Sequence, residues 1–396
     1  MQVMIFTEVI SPYICGISSY VDVLKKGLEK LGHNVLIVTS DTHVTDAIFR
    51  SNVIFLPAKK SNNIYGYECS LEYLNPKELG FIKKFKPDII HIHTDTKIGY
   101  LGLFVADALD LPVVFTIHDY FNDRFASEKR LTWRLKTRIE KQHFLDMIDN
   151  AEIITSSCSR ASSFVNTAGR NCKVKMIQSN TDSVRFDYRG VSPSDIKATR
   201  TRYGLSPTAC IAIFAGGLSV DKNLEFILTS FAKNIKPKDN IQLLIVGDGT
   251  ETAHLKKLTQ KLRIQEMVFF IGAQSHSIMP GIYSACDIYV CSSEDGLMSM
   301  SCLEAISCGL PVLIKEDKEE YVYNMIKNGV NGFVYNSQSD FVKYLKKFST
   351  LNEKNKGHLR RLVRSTLKDT KDTEMADKYI QTYKEAVKIR RMRRNS

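Results

Sequence analysis

Short apolar runs alternate along the chain with longer segments whose apolar residues recur at helical spacing. Val3 to Phe6 is the first run. Tyr20, Val21, Leu24, Leu28 and Leu31 then fall on one helical face, and Gly32-His33-Asn34 supplies a stop before the next run, Val35 to Val38. The same alternation gives a strand at Ile89 to Ile92, a helix from Ile98 to Leu109, a strand at Val113 to Thr116, a long helix from Leu131 to Ile148 and a strand at Glu152 to Thr155. Strands alternating with helices predict βαβ units with right-handed crossovers in a parallel sheet. From Phe186 to Pro207 the rhythm lapses into a polar stretch with Gly190, Pro193, Gly204 and Pro207, and a domain boundary is placed there, after Tyr188. It then restarts with runs at Ile211 to Ala215, Ile241 to Val246, Val268 to Ile271, Ile288 to Cys291 and Val312 to Ile314. The expected class is therefore α/β, with two doubly wound domains at 1–188 and 189–370 and a basic C-terminal segment at 371–396. Asp41 to Tyr73 is polar and irregular; it is expected to help form the acceptor side, but its residues carry no readable specificity.

Composition narrows this picture in three ways. The 396 residues suit two domains, each large enough for its own core. The opening MQVMIFTEVI reads as a strand rather than a secretory signal, and no run approaches the ~18 apolar residues of a spanning helix. The nine cysteines are scattered without a CxxC pair, which predicts reduced, mostly buried thiols in a cytoplasmic protein and gives no zinc-ligand spacing. The formal net charge of +12 favours acidic partners. No nucleic-acid module accompanies it, and the basic clusters lack interleaved stacking aromatics, so nucleic acid is not the expected partner.

In open α/β sheets ligands bind beyond the carboxyl ends of the strands. That rule singles out Gly16, His93, His118, Gly216, Gly217, Gly247, Asp248, Gly249, Gly272 and Glu294. Ala215-Gly216-Gly217 permits close approach of the backbone to a ligand, and Lys222 follows near a helix start expected to be capped by Ser219 or Asp221, an arrangement suited to phosphate. Glu304 lies in a helix that Gly309-Leu310-Pro311 ends, where a carboxylate beside a strand end suits the hydroxyls of a ribose. His91 and His93 share a strand face near Asp95 and are read as supports of the sheet rather than metal ligands.

With these motifs in hand, nearly the whole chain resembles the GT-B glycosyltransferases of retaining family 4. Gly216-Gly217-Leu218-Ser219-Val220-Asp221-Lys222-Asn223 stands where the family has Gly-Arg-Leu followed by Glu-Lys-Gly or Glu-Lys-Asn. Gly247-Asp248-Gly249 matches the family's Gly-Asp-Gly, and Glu304-Ala305-Ile306 through Gly309-Leu310-Pro311-Val312 matches its Glu-Ala…Gly-x-Pro-Val. Asp88-Ile89-Ile90-His91-Ile92-His93 and Leu111 to Asp119 resemble its N-terminal motifs. Two departures stand out. Gly217 occupies the place of the family's arginine, which leaves Arg185 or a basic N-terminal helix as a replacement cation. The first family glutamate aligns with Gly296, so that Glu294 or Asp295 inherits its role.

The resemblance implies two Rossmann-like domains facing a central cleft, with the C-terminal helix returning to the N-terminal domain. It implies a nucleotide-diphosphate sugar as donor, UDP-linked, with no cofactor and no metal. Glu304 would bind the ribose. Lys222 and backbone amides near Gly217 and Leu297 would hold the phosphates, and Gly16, Gly247 and Asp248 would complete the binding site. His118 would serve the transferred sugar, alongside Lys222, Glu294 and Asp295. A hexose would pass with retention to a lipid or glycan acceptor of the envelope. On the helix near Leu131, Arg130, Arg134, Arg138 and Lys141 share a face close to Trp133 and suit an anionic membrane surface, implying peripheral association with its inner face. The C-terminal run Lys388 to Arg394 would reinforce that contact or form a solubilising end. The competing readings are a degenerate, non-catalytic scaffold, motivated by Gly217 and the shifted acidic loop, and a sugar-nucleotide epimerase of the same architecture.

Overall fold

The computed structural model describes residues 1–11, 15–61, 67–71, 74–118, 131–157, 160–167, 169–170, 172–293, 300–316, 326–367 and 373–395, without the side chains of 67, 77, 131–140, 160, 163–164 and 167. The chain forms two compact units. One comprises Met1–Tyr13, Ile17–Ser179 and Thr373–Ser396, and the other Asn180–Asp372 with Ile14–Gly16.

The first unit runs β1 (Gln2–Phe6), α1 (Gly16–Lys30), β2 (Asn34–Asp41), β3 (Ile48–Arg50), β4 (Val53–Lys60), β5 (Tyr67–Cys69), α2 (Pro76–Phe85), β6 (Ile89–Ile92), α3 (Lys97–Ala108), β7 (Val113–Ile117), α4 (Leu131–Asn150), β8 (Ile153–Ser156), α5 (Arg160–Thr167) and β9 (Val174–Met176). Its sheet has the order β3-β4-β2-β1-β6-β7-β8-β9, with β5 paired to β4. All pairings are parallel except β3 and β5 on β4. The central strands β6, β7 and β8 are buried at every residue, as a parallel sheet covered on both faces requires. Local signals set the helix ends. Asn75, Pro76 and Glu78 form a complete capping box at the start of α2, and Lys86 ends it in a left-handed conformation.

The second unit continues with α6 (Pro193–Arg202), β10 (Cys210–Ala215), α7 (Leu224–Asn234), β11 (Ile241–Val246), α8 (Thr252–Lys261), β12 (Val268–Gly272), α9 (Met279–Ser284), β13 (Ile288–Cys291), α10 (Met300–Ser307), β14 (Val312–Lys315), β15 (Gly332–Tyr335), α11 (Gln338–Ser349) and α12 (Glu353–Ser365). Its sheet is wholly parallel in the order β12-β11-β10-β13-β14-β15. Phe214, Leu228, Phe231, Leu243, Val290 and Phe341 belong to the core built on it.

The last helix, α13 (Glu374–Asn395), belongs to the first unit, where Tyr379, Tyr383 and Ala386 are buried. Its basic end is committed to ion pairs within that unit. Arg390 binds Asp110 at 3.0 Å and Glu152 at 3.3 Å, Arg393 binds Glu152 at 3.3 Å, and Arg394 pairs with Asp110. The Glu152 side chain is fully buried and also accepts from Val113 N at 2.6 Å. A buried carboxylate needs such partners, so these arginines anchor the helix instead of forming a loose solubilising end.

Two further points differ from the sequence expectation. The stretch 42–73 contains β3, β4 and β5, although its polar residues conceal them. β4 is VIFLPAKK, whose first part is parallel to β2 and whose basic end, Lys59 and Lys60, is exposed. The boundary between compact units falls at Ser179, ahead of the break in composition. The reason is Arg364, which donates to Ser183 O and Phe186 O and pairs with Asp187 at 3.0 Å, while Phe186 packs edge-on against Tyr283.

Where the order reverses in the second sheet, the turns after β10 and β11 lie against each other. Gly216 and Gly247 take φ of +152° and +136°, and a Cβ on Gly247 would collide with the Gly216 carbonyl. Leu218 N donates to Asp248 O at 3.0 Å across the same turns. Gly217 has open space where a side chain would go and no unusual φ. Gly247→Ala should therefore lower stability by roughly 2 kcal/mol or more, and Gly217→Ala should change it by less than about 0.5 kcal/mol. Denaturant unfolding of the two variants beside the parent measures both.

Candidate active site

Both sheets reverse their strand order, at β1/β6 in the first unit and at β10/β13 in the second. The carboxyl ends of those strands are where a doubly wound sheet presents a crevice. Several of the residues expected from sequence follow strands at or beside these reversals, as His118 follows β7 and Gly216 and Gly247 follow β10 and β11.

In the second unit Glu304 sits in α10 and is only 4 % exposed. Tyr283 of α9 donates its hydroxyl to Glu304 Oε2 at 3.0 Å, and His276 Nε2 stands 3.7 Å from Oε1. Burial pushes the Glu304 carboxyl up to about 8; the Tyr283 hydrogen bond and the positive charge of Arg185 oppose that shift without cancelling it. At neutral pH the group is mostly protonated, and hydroxyl donors brought to it by a ligand would favour ionisation. Arg185 also lies 3.8 Å from Asp182.

The turn after β10 is tied to the end of β13. Ser292 Oγ donates to the carbonyls of Lys222 and Asn223 at 2.7 and 2.9 Å, and Tyr289 and Ser301 both donate to Ala215 O. Lys222 ends a short 3-10 turn, and its ammonium pairs with Asp221 at 2.7 Å. Helix α7 starts at Leu224 after Asn223 in a left-handed conformation, with no side-chain cap from Ser219 or Asp221. Asp248 is engaged in its own turn, where it accepts from Gly249 N at 2.8 Å and Thr252 Oγ1 at 2.6 Å, and these bonds hold its carboxyl below the usual range. Gly217 and Gly247 lie in the adjoining turns described above. Glu294, Asp295 and Leu297 lie outside the described residues, so their expected roles have no structural counterpart here.

Gly16, the first residue of α1, has open space at its Cβ position. Glu8, two residues past β1, is fully buried. Its carboxylate accepts from Cys69 N at 2.9 Å, from Thr96 Oγ1 at 2.6 Å and from Ser40 Oγ, and its backbone N donates to Thr94 Oγ1 at 3.1 Å. Burial raises its pKa against those hydrogen bonds. Glu8 therefore gathers β1, β2, β5 and the start of α3 around the reversal point. Its place just after a strand end was the signal by which the sequence could have revealed it.

His118 follows β7. Its Nε2 lies 2.8 Å from His93 Nδ1, with the two rings 22° from coplanar and their centres 5.1 Å apart. Tyr20 meets the His118 ring edge-on at 4.8 Å. Behind them runs a buried polar network. His91 bonds Tyr383 and Thr116, each at 2.7 Å; Thr116 bonds Thr155 at 2.7 Å and Tyr379 at 3.0 Å; Tyr379 bonds Tyr20 at 2.7 Å. Burial pushes His91 and His93 well below the usual histidine range, so both are neutral. His93, Asp95, Thr116, Ile117 and His118 line a small cavity with Phe115 and Phe144. Among the described residues no group of three or more His, Cys, Asp or Glu is placed to hold a metal ion.

Of the expected membrane face, the side chains of Arg130, Arg134 and Arg138 lie outside the described residues, while Lys141 is exposed on α4. No described helix is long and apolar enough to cross a membrane.

Comparison with known proteins accords with this geometry. Residues 195–366 match the profile of the glycosyl transferases group 1, and residues 14–158 that of glycosyltransferase family 4. The alpha-monoglucosyldiacylglycerol synthase of Streptococcus pneumoniae is 25 % identical over 86 % of this chain and 76 % of its own length. That of Acholeplasma laidlawii is 23 % identical over 87 % of each. Anabaena HepE, crystallised with UDP and glucose, superposes over 96 % of this chain and 99 % of its own with a TM-score of 0.71 at 16 % identity, a likeness of fold. The chain is thus a glycosyltransferase with the α/β GT-B fold and belongs to the family 4, group 1 enzymes.

Proposed function

We propose that the enzyme moves a hexose, with retention, from a nucleotide-diphosphate sugar to a lipid acceptor such as a glycosyldiacylglycerol at the inner membrane face. The observation that carries the reading is Glu304, a buried carboxyl beside Tyr283 and His276 at the reversal point of the second sheet. The ribose hydroxyls of the donor are suited to donate to it. The glycine turns at Gly216–Gly217 and Gly247 offer a backbone against which a diphosphate can lie, with Lys222 beside them. Two relatives are alpha-monoglucosyldiacylglycerol synthases, and a structure of like fold was crystallised with UDP and glucose.

Charge develops on the leaving nucleoside diphosphate as its glycosidic bond breaks, and donors fixed on that charge are the largest expected catalytic contribution. In the family pattern an arginine would stand at Gly217; Arg185, near enough to Glu304 to act on its ionisation, is the replacement cation favoured here. His118 would hydrogen-bond the transferred sugar, and Lys222 would face the phosphates once its pairing with Asp221 is exchanged for the stronger anion. Glu294 or Asp295 would complete the donor site, with the backbone amide of Leu297.

The direct test is transfer from UDP-glucose to diacylglycerol or monoglucosyldiacylglycerol in vesicles, with the product anomer read by NMR. An α-linked product from the α-linked donor is expected, and product without an acceptor, or a β-linkage, would overturn the reading. Glu304→Gln should raise the Kd for UDP roughly 10- to 100-fold, the loss of a charge-assisted bond, as measured by titration calorimetry. Because the free carboxyl titrates near 8 and ribose donors favour its ionised form, UDP binding at pH 7 should release a proton. Binding enthalpies in buffers of different ionisation heat will show that release in the parent and its absence in Glu304→Gln. The basic face of α4 is proposed as the membrane contact. Replacing Arg134 and Arg138 by Glu should abolish sedimentation with anionic vesicles at low salt while leaving binding of UDP unchanged.

A further inference from the structure

Resting on the reading above, in which Arg185 replaces the arginine that the family has at the place of Gly217, we infer that Arg364 is a positioning residue of the donor site. From α12 it clasps the segment 183–187 onto the end of α10 and so holds Arg185 beside Glu304. Arg185 lies in a turn, in no helix or strand, and its side chain is 38 % exposed. A long side chain on such a segment brings its charge to one place only if the backbone beneath it is fixed. All the residues concerned belong to the second unit.

One guanidinium makes the clasp. Arg364 Nη1 donates to Phe186 O at 2.9 Å and to the carbonyl of Ser307, the last residue of α10. Its Nη2 donates to Ser183 O at 2.9 Å and pairs with Asp187 Oδ2 at 3.0 Å. The carbonyls of Ser183 and Phe186 bracket Arg185, and both are thereby tied to the helix that carries Glu304. A planar fork of donors can join these groups, whereas a lysine ammonium offers a single nitrogen. The segment is also closed from within, since Arg185 N donates to Asp182 Oδ1 at 3.1 Å and Phe186 N to Asp182 O at 2.9 Å.

The other side of the segment faces the surroundings of Glu304. Phe186 is buried, and its ring meets Tyr283 edge-on at 6.1 Å and His276 at 5.9 Å. Both of those side chains address Glu304, Tyr283 by its hydrogen bond at 3.0 Å and His276 at 3.7 Å. Arg185 is thus the chain neighbour of a ring wedged against the partners of Glu304. The groups that act on the Glu304 charge are Tyr283 of α9, His276 ahead of it, Arg185, and the Cys308 thiol just past α10. Loss of Arg364 would leave the Arg185 charge in the protein but free the backbone that delivers it.

The test reads the titration of Glu304 in the full-length protein without donor, by 13C NMR of protein labelled at the glutamate carboxyls, the signal being assigned by its loss in Glu304→Gln. Arg185→Gln should raise the midpoint above the parent's value of about 8. Arg364→Lys keeps the charge and loses the fork, and it should raise the midpoint in the same direction. The two substitutions together should raise it no further than Arg185→Gln alone. UDP binding by calorimetry should follow the same pattern, with each single variant about 10-fold weaker than the parent and the double variant no weaker than Arg185→Gln. An unshifted midpoint in Arg185→Gln or in folded Arg364→Lys overturns the inference. So does a double variant in which the shifts add, because an arginine that serves only stability acts alike in both backgrounds. Should Arg364→Lys fail to fold, Asp187→Asn, which removes the charge of one acceptor of the clasp, takes its place and is judged by the same criteria, with a smaller shift of the same sign. Midpoints that obey this pattern while UDP binding ignores it leave Arg364 as the residue that positions Arg185 and overturn the donor reading instead.

Discussion

The strands at the centre of both sheets are buried along their whole length, and that constraint shapes everything the protein does with polar groups. A parallel sheet covered on both faces offers no wet side on which a stray hydroxyl or imidazole can be solvated. A polar side chain carried by β6, β7 or β8 must find a partner within the protein, and one placed just past a strand end must find it among neighbouring turns. His91, Thr116 and Thr155 stand on three adjacent strands and satisfy one another and Tyr379. The polar groups at the reversal points are pinned in the same way, Glu8 by three donors and Glu304 by Tyr283.

This constraint makes the C-terminal helix part of the site in the first unit rather than an appendage. Tyr379 and Tyr383 supply hydroxyls that the buried network cannot obtain from the sheet, and Arg390, Arg393 and Arg394 secure the far end of the helix on Asp110 and Glu152. The order of that helix is thereby coupled to the setting of Tyr20 and, through Tyr20, to the ring of His118. Buried polar networks of this kind specify one arrangement sharply, because each unsatisfied member is expensive.

Burial also gives the two titrating groups their useful states. Desolvation raises Glu304 toward neutrality and lowers His93 away from protonation, in opposite directions for one physical reason. A carboxyl poised near neutral pH accepts or gives up a proton according to what a ligand brings to it. A histidine held neutral can orient a neighbour without adding charge. Both are environments assembled from residues remote in sequence.

The sequence by itself determined the class of fold and which candidate residues follow the strand ends. Its apolar runs have the right length and spacing for buried parallel strands, and residues such as Gly216, Gly217, Gly247 and His118 follow those runs directly, so local pattern suffices to locate them. Glu304 was legible as a carboxyl in a helix followed by Gly309 and Pro311. What only the tertiary structure decided is the state of each group. The protonation of Glu304 depends first on its burial, and then on Tyr283 and Arg185, which oppose the shift and are brought to it only by the packing of the folded chain. The neutral state of His93 depends on the burial that the covered sheet imposes just past β6. The part played by Tyr379 depends on a helix that folds back onto the first sheet from the far end of the chain. No periodicity records those encounters, because hydrogen bonding and desolvation act on distance in space, and distance along the chain carries no such information once the chain has folded.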